Sequence, residues 1–138
     1  MGTRSTTTIK DENGKTLVTL YRQFDGYPTG HGQELADFLK ARTLVNGFGM
    51  DMTAKTHANG MGCLAAQLIT YLKGDQIGNV YVTEAGDSQE YNYTVYPKDG
   101  QLYLRCESEY YGFLYDGLAS EFNGATVEAS AYAEEEEV

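Results

Sequence analysis

Alternating apolar and polar positions predict that the chain opens with a β-hairpin. Residues 5–10 are rich in β-branched threonine and isoleucine, which favour strands. Asn13-Gly14 supplies a tight turn, because both residues accept positive φ angles. Residues 16–24 form the returning strand, and its core-facing side chains are expected to be Val18, Leu20, Arg22 and Phe24. Arg22 then needs a carboxylate partner or a path to solvent.

Helical periodicity predicts two helices in the middle of the chain. Pro28 holds the preceding residue extended, so the first helix begins near residues 32–33 and ends near Arg42. The second helix covers residues 61–73, is apolar on nearly all sides and should be largely buried. Residues 46–62 show no periodicity, and a connection of this length is either functional or poorly ordered.

The second half of the chain is predicted to be rich in strands. Residues 79–83 alternate apolar and polar side chains, and so do residues 91–96 and 101–108. A tight turn at Asp99-Gly100 joins the last two runs into a second hairpin. Its core-facing side chains should include Leu102, Leu104 and Cys106. Residues 112–115 predict a further strand.

These elements predict an α+β fold with an antiparallel sheet of five to six strands built from hairpins and two helices packed on one face. A parallel α/β fold is disfavoured, because the strands come in hairpins and do not alternate with helices. We expect one domain over residues 1–127, with a single helical turn at residues 118–122. Residues 128–138 are expected to be an acidic, flexible tail with little order beyond Val127.

Charge and hydropathy exclude two classes of partner. Ten Lys and Arg against twenty Asp and Glu give a net charge of −10, and the run at residues 134–137 supplies four of the acids. Broad nucleic-acid binding needs clustered cations and is therefore not expected. The acidic run is typical of a chain end that is exposed to solvent. The alternative is that its carboxylates mimic the phosphates of DNA. No apolar run approaches a membrane span or a signal peptide, which predicts a protein of the (host) cell cytoplasm.

Cysteines and tyrosines each allow two interpretations. Cys63 and Cys106 are predicted to be reduced, buried thiols, with a disulfide as the alternative. Twelve tyrosines and no tryptophan are a skewed aromatic composition, and residues such as Tyr81 and Tyr103 fall on the outer register of their strands. Tyrosine is enriched at interfaces, so we expect this sheet face to contact a partner or a second copy. Ordinary strand propensity is the alternative.

Residues 22–35 concentrate glycines, a proline and chemically active side chains between a strand and a helix, and we call them the pivot. Asp25 and His31 are close enough in sequence for a hydrogen-bonded pair, in which the histidine serves as general base or metal ligand. We favour a structural role instead, in which the Asp25 carboxylate accepts backbone N–H groups and organises the turn. Tyr27 lies between the two residues.

Other candidate chemistry is sparse. His31, His57 and either Asp25 or Asp51 make up a two-histidine, one-carboxylate metal set by composition alone. Residues 59–62 open a helix and can offer backbone donors to an anion, with Lys55 nearby. Neither a P-loop nor a dinucleotide fingerprint occurs. We therefore predict no metal and no cofactor.

Two blocks of sequence resemble a known family. The first joins Thr3-Arg4-Ser5 and the Asn13-Gly14 turn to the Asp-Gly-Tyr-Pro and Gly-His-Gly motifs of the pivot. The second is Asn-Gly-Met-Gly-Cys-Leu-Ala-Ala-Gln at residues 59–67. Together they are similar to a family of small, uncharacterised bacteriophage and prophage proteins, over about residues 2–72. The resemblance implies a phage-type accessory context and no mechanism.

Three function classes follow. The first is a protein that binds a host protein or a small ligand through its tyrosine-rich face or the Asp25–His31 loop, and it is favoured because no catalytic constellation is recognisable. The second is a small hydrolase or lyase using Asp25, His31 and His57. The third is a self-assembling structural protein, in which the partner is a second copy. The candidate binding residues are Arg22, Asp25, Tyr27, His31, Lys55, His57, Tyr81 and Tyr103.

Overall fold

The structure, a computed structural model, describes the backbone of residues 2–137 and the side chains of residues 2–132. Eight strands and three α-helices follow one another in the described range. The strands are β1 (Ser5–Lys10), β2 (Thr16–Arg22), β3 (Thr43–Val45), β4 (His57–Asn59), β5 (Val80–Thr83), β6 (Tyr91–Lys98), β7 (Gln101–Ser108) and β8 (Gly112–Leu118). The helices are α1 (Gln33–Lys40), α2 (Gly60–Lys73) and α3 (Gly124–Glu137), with short π- and 3₁₀-helical turns at Pro28–Gly32 and Ala119–Glu121.

Six strands form one sheet in the order β5-β2-β1-β6-β7-β8. The predicted α+β class and both predicted hairpins are confirmed. The sheet is mixed, however, because β1 and β6 pair in parallel. Strand β2 pairs with one edge of β1. After helices α1 and α2 the chain returns to the other edge of β1 as β6, which runs in the same direction as β1.

The core lies between the sheet and helices α1 and α2. Alternate strand residues point into it, and the predicted stripe of α1 is confirmed. The fully or almost fully buried apolar side chains include Ile9, Leu20, Val95 and Leu104 from the sheet and Leu35, Phe38, Leu39, Leu64 and Leu68 from the helices. Each such side chain stabilises the fold by about 1.5–3 kcal/mol relative to an exposed position.

Two side-chain environments differ from the predicted ones. Phe24 was expected to face the core, but its side chain is half exposed, because β2 ends at Arg22 and the alternation ends with it. Helix α2 was expected to be buried on nearly all sides, but Ala66, Thr70 and Tyr71 face outwards. The helix lies on the edge of the core and covers the sheet with one face only.

The connection predicted over residues 46–62 is shorter than expected. His57–Asn59 forms β4, which pairs in parallel with β3, and α2 begins directly afterwards at Gly60. Gly60 has a φ of 82°, a left-handed conformation that glycine adopts without a steric penalty. Three-residue strands carry too little periodicity to be recognised from the sequence.

Close backbone contacts hold the pivot against its neighbours. A Cβ on Gly26 would lie 2.8 Å from the Cβ of Ser5, and a Cβ on Gly124 would lie 2.3 Å from the carbonyl oxygen of Pro28. The hydroxyl of Tyr93 donates a hydrogen bond to the Gly26 carbonyl at 2.7 Å. The pivot therefore joins β1, β6 and the start of α3.

The C-terminal segment differs from the expected tail. Helix α3 begins at Gly124, whose N–H donates to Oε1 of Gln33 at 2.8 Å, and the side chains of Val127 and Ala131 are buried. The side chains of the acidic run at residues 134–137, and Val138 altogether, lie outside the described residues, so the role predicted for that run stays a prediction. Within residues 2–137, no helix has the length and apolarity needed to span a bilayer.

Candidate functional site

A cavity of about 650 Å³ opens where the pivot, α3 and the ends of β6 and β7 meet. Five tyrosines contribute to its lining, and we call it the tyrosine cavity. They are Tyr27, Tyr91, Tyr110, Tyr111 and Tyr132. The volume falls within the range of small-molecule sites in proteins, about 300–1,000 Å³. This is the largest concentration of aromatic side chains around any described cavity.

The turn between β7 and β8 positions two of these rings. The hydroxyl oxygen of Ser108 accepts the backbone N–H groups of Tyr110 at 3.0 Å and Tyr111 at 3.1 Å. The two rings then meet nearly at right angles, with centroids 5.1 Å apart. Tyr111 makes a second near-perpendicular contact with Tyr132 of α3, at 6.0 Å. The rings of Tyr110, Tyr111 and Tyr132 therefore contact one another in sequence along the lining of the cavity.

The pivot contributes Tyr27. Its hydroxyl donates a hydrogen bond to Oδ1 of Asp25 at 3.1 Å. That hydrogen bond, followed by the negative charge of Asp25, raises the pKa of Tyr27 above its usual value. The phenol is protonated at neutral pH and donates to the carboxylate.

Tyr91, at the start of β6, forms the deep part of the cavity. Its side chain is buried, and its backbone N–H donates to the carbonyl of Arg4 at 3.3 Å. Burial, with smaller contributions from Tyr132, Glu128 and Tyr111, raises the pKa of Tyr91 well above its usual range. At neutral pH this side chain therefore carries no charge.

The charged groups of the cavity are all acidic. Glu90, Glu109 and Glu128 contribute to the lining, and no lysine or arginine does so among the described side chains. Glu109 is fixed at the rim, because Oε1 accepts the Ser88 hydroxyl at 2.5 Å and its N–H donates to the Glu90 carbonyl at 3.1 Å. The site thus combines neutral aromatic walls with carboxylates.

His31 of the pivot lies in the core, outside this cavity. Its Nε2 is 2.6 Å from the Thr7 hydroxyl and its Nδ1 is 3.0 Å from the Arg22 guanidinium. Both ring nitrogens are therefore occupied by Thr7 and Arg22, and the interpretation of Asp25 and His31 as a pair joined through their side chains is wrong. Arg22 also donates to Oε2 of Glu34 at 3.0 Å, which is the carboxylate partner expected for it.

Asp25 organises the turn differently from the prediction. The backbone carbonyl of Asp25, and not its carboxylate, accepts the N–H of His31 at 2.7 Å. The N–H of Gly26 donates to the Thr3 carbonyl at 2.9 Å. Backbone carbonyls thus accept both of these N–H groups, and the exposed carboxylate of Asp25 accepts the Tyr27 hydroxyl. The φ of Asp25 is 61°.

His57 lines a second, smaller cavity of about 170 Å³, together with Cys63, Gln67 and apolar side chains of the loop after β3. Its Nδ1 pairs with the Thr56 hydroxyl at 2.7 Å. Cys63 is half buried, so the prediction of two buried thiols holds only for Cys106; both cysteines are free. No group of three metal-ligating side chains occurs in the described part of the chain.

The predicted anion site at the start of α2 already has a carboxylate of the chain itself. The N–H of Met61 donates to Oε1 of Glu12 at 3.2 Å, because the first hairpin turn lies against this helix end. Lys55 is exposed on the loop before β4. An anion at this position would meet the negative charge of Glu12.

Tyr81 and Tyr103 lie on the outer sheet face in two separate pairs. Tyr81 lies 6.0 Å from Tyr21, and Tyr103 lies 5.4 Å from Tyr96, measured between ring centroids. Strand β1 separates the two pairs, and a row of threonines in register runs across β5, β2, β1 and β6: Thr83, Thr19, Thr8 and Thr94. The tyrosines of this face therefore form no continuous aromatic patch.

Of the side chains around the tyrosine cavity, the sequence analysis selected Tyr27 alone. The other tyrosines come from β6, the β7–β8 turn and α3, and the only local indication was the pair Tyr110-Tyr111 directly after Glu109. None of the protein-family models, curated proteins and solved structures compared with this chain matches it.

Proposed function

We propose that this protein is a binding protein and that the tyrosine cavity is its ligand site. One observation carries the proposal: tyrosines from the pivot, β6, the β7–β8 turn and α3 converge on one cavity of about 650 Å³. Concave sites with aromatic walls and a few placed polar groups are typical of ligand recognition. Tyrosine provides a large contact area and a hydroxyl on a side chain with few rotatable bonds.

The contacts of the cavity also favour binding by a preformed site. Ser108 fixes the backbone of Tyr110 and Tyr111, Asp25 holds the hydroxyl of Tyr27, and Tyr91 is buried. Groups whose positions are set before the ligand arrives reduce the conformational entropy lost on binding.

The alternative of a hydrolase or lyase has less support. A general base must reach the proton that it removes, but the side chain of His31 is 1% exposed and both of its nitrogens already have partners. The described contacts of Asp25 and His57 are with Tyr27 and Thr56, not with each other.

The outer sheet face is a second candidate, for a protein partner or a second copy of the chain. Half of the Tyr81 side chain is exposed on β5. Strands β5 and β8 are the two edge strands of the described six-stranded sheet, and a strand of a partner can add to an edge of this kind. The phage-type context, the host partner and the cytoplasmic location stay predictions from the sequence.

Ligand-observed NMR with a chemically diverse fragment library tests the proposal. We compare the parent with Tyr132→Ala, which removes one wall of the cavity. Tyr71→Ala is the matched control, because Tyr71 is exposed to a similar extent (50% against 46%) but lies on α2, away from the cavity.

We expect fragments that bind the parent and the control but not Tyr132→Ala. A library without any fragment whose binding depends on Tyr132 would contradict the assignment of the ligand site. Fragments that no longer bind Tyr81→Ala but still bind Tyr132→Ala would show that the binding site is the outer sheet face.

A further inference from the structure

We infer that the ligand of the tyrosine cavity carries an alkylammonium cation, such as a trimethylammonium group; this inference rests on the binding function proposed above. The cavity brings together aromatic rings and carboxylates without a basic side chain among its described lining residues. Each of these features selects for positive charge, by a different physical effect.

The ring geometry is the first feature. Tyr110 and Tyr111 meet at an interplanar angle of 71°, and Tyr111 and Tyr132 meet at 83°. All three rings line the cavity, so each exposes part of its surface to a ligand held there. The face of an aromatic ring is the negative part of its quadrupole and attracts a cation within about 6 Å of the centroid.

The carboxylates are the second feature. Glu128 lies one helical turn before Tyr132 on α3, so both side chains lie on the same face of that helix. The charge of Glu128 helps to raise the pKa of both Tyr27 and Tyr91, which places this carboxylate near rings of two other segments. Glu90 and Glu109 add negative charge at the rim. An anionic ligand would be repelled.

The neutral state of the tyrosines is the third feature. The pKa values of Tyr27 and Tyr91 are both raised, the first by the hydrogen bond to Asp25 and the second by burial. A tyrosine hydroxyl is protonated at neutral pH even without these shifts, so the attraction for a cation comes from ring faces and glutamates.

The combination favours an alkylammonium group over a metal ion. A hard metal cation requires several oxygen ligands at short distance, and among the described residues no three acidic, histidine or cysteine side chains, the three glutamates of this cavity included, are placed so that they could hold a metal ion together. A methylated ammonium group is weakly hydrated and bulky, so its apolar surface fits aromatic walls while its charge is met by carboxylates. The remaining volume accommodates the rest of the ligand.

A matched pair of small molecules isolates the contribution of the ligand's positive charge to binding. Choline and 3,3-dimethyl-1-butanol have nearly the same shape, but a neutral carbon replaces the nitrogen in the second. We titrate each into the protein and follow the ring signals of Tyr110, Tyr111 and Tyr132 by ¹H–¹³C NMR. We expect saturable shifts with choline and at least roughly tenfold weaker binding of the neutral molecule.

Variants test the two effects separately. Tyr132→Ala should weaken choline binding about tenfold, whereas Tyr132→Phe keeps the ring face and should bind like the parent. Glu128→Gln should weaken binding severalfold and reduce its dependence on salt, because one charge is removed without a change of shape. Tyr71→Ala again serves as the control and should leave binding unchanged.

A trimethylammonium group can belong to a free small molecule or to a modified lysine of a protein, and a comparison with peptides distinguishes these two sources. A short peptide with one trimethyllysine is compared with the same peptide carrying norleucine and with free choline. Tighter binding of the trimethyllysine peptide than of choline identifies a modified protein side chain as the source, and equal or weaker binding identifies a free small molecule. Either result supports the inference, provided that the norleucine peptide binds more weakly.

Results that contradict a cationic ligand can be distinguished from results that contradict the proposed binding function. Equal or tighter binding of 3,3-dimethyl-1-butanol at the same rings would overturn the inference and leave a binding site for neutral ligands. Absence of shifts with choline and with the trimethyllysine peptide would also overturn it, and the fragment screen then decides whether the cavity binds anything else.

Discussion

The guanidinium of Arg22 lies 3.0 Å from Nδ1 of His31 in the interior of the fold. A guanidinium can only donate hydrogen bonds, so Nδ1 must be the acceptor and the proton of the neutral ring must reside on Nε2. Nε2 then donates to the Thr7 hydroxyl at 2.6 Å. We predict the Nε2–H tautomer for His31, which the ¹⁵N chemical shifts of the imidazole report directly. Equal population of the two tautomers would contradict this hydrogen-bond assignment.

Acidification should destabilise the protein through the same histidine. Burial and the adjacent Arg22 charge lower the pKa of His31 from 6.5 to about 3. Because the unfolded chain binds the proton more readily, the contribution of His31 to stability is complete above about pH 6.5 and is lost towards pH 3. The expected loss is about 2 kcal/mol between pH 7 and pH 5.

Urea unfolding at these two pH values checks this prediction. His31→Gln keeps an acceptor and a donor but cannot be protonated, so its free energy of unfolding should depend less on pH by about that amount. His57→Gln controls for the loss of an imidazole elsewhere and should keep the acid sensitivity that His31 causes. Identical pH dependence of the parent and His31→Gln would refute the account.

Gly124→Ala should destabilise the junction between the pivot and α3. The added Cβ would lie 2.3 Å from the Pro28 carbonyl oxygen and 3.0 Å from the Cα of Thr29, so backbone must move. Overpacking of this kind costs about 1–3 kcal/mol. Gly62→Ala is the matched control, because α2 offers open space there and the same substitution should stabilise by up to about 1 kcal/mol. Thermal unfolding measures both, and the prediction fails if the two shifts have the same sign.

Substitutions at Asp25 should be ranked by backbone preference and not by charge. The residue is exposed and has a φ of 61°, which favours glycine and asparagine over alanine. We expect Asp25→Gly and Asp25→Asn to be about as stable as the parent, and Asp25→Ala to lose about 1 kcal/mol. Chemical denaturation of the three variants checks the order. A loss in Asp25→Asn equal to that in Asp25→Ala would restore a structural role for the carboxylate.

The two cysteines should differ in reactivity. Cys106 is fully buried, and burial raises the pKa of its thiol to about 12, so it should resist modification in the native protein. Cys63 is half buried beside the smaller cavity and should react. We expect one thiol per chain to react with a chromogenic disulfide reagent under native conditions and two in denaturant. Cys63→Ser should abolish the native reaction, and a native reaction that survives this substitution would contradict the assignment.

The sequence by itself determined the local elements of this protein. Alternation of period two marked both hairpins, and the spacing of Leu35, Phe38 and Leu39 marked the buried stripe of α1, because side-chain direction repeats within a single element. The need of Arg22 for a carboxylate followed from the cost of burying a lone charge. These conclusions depend on neighbours along the chain and on general solvation physics.

Only the tertiary structure decided which distant elements meet. The parallel pairing of β1 with β6, the occupation of both nitrogens of His31, and the convergence of Tyr27, Tyr91 and Tyr132 join segments far apart in sequence. Such contacts are selected by the packing of whole elements and by close approaches such as that of Gly124 to Pro28. Local periodicity contains no information about them, since it fixes the face that a side chain occupies and not the segment that lies opposite.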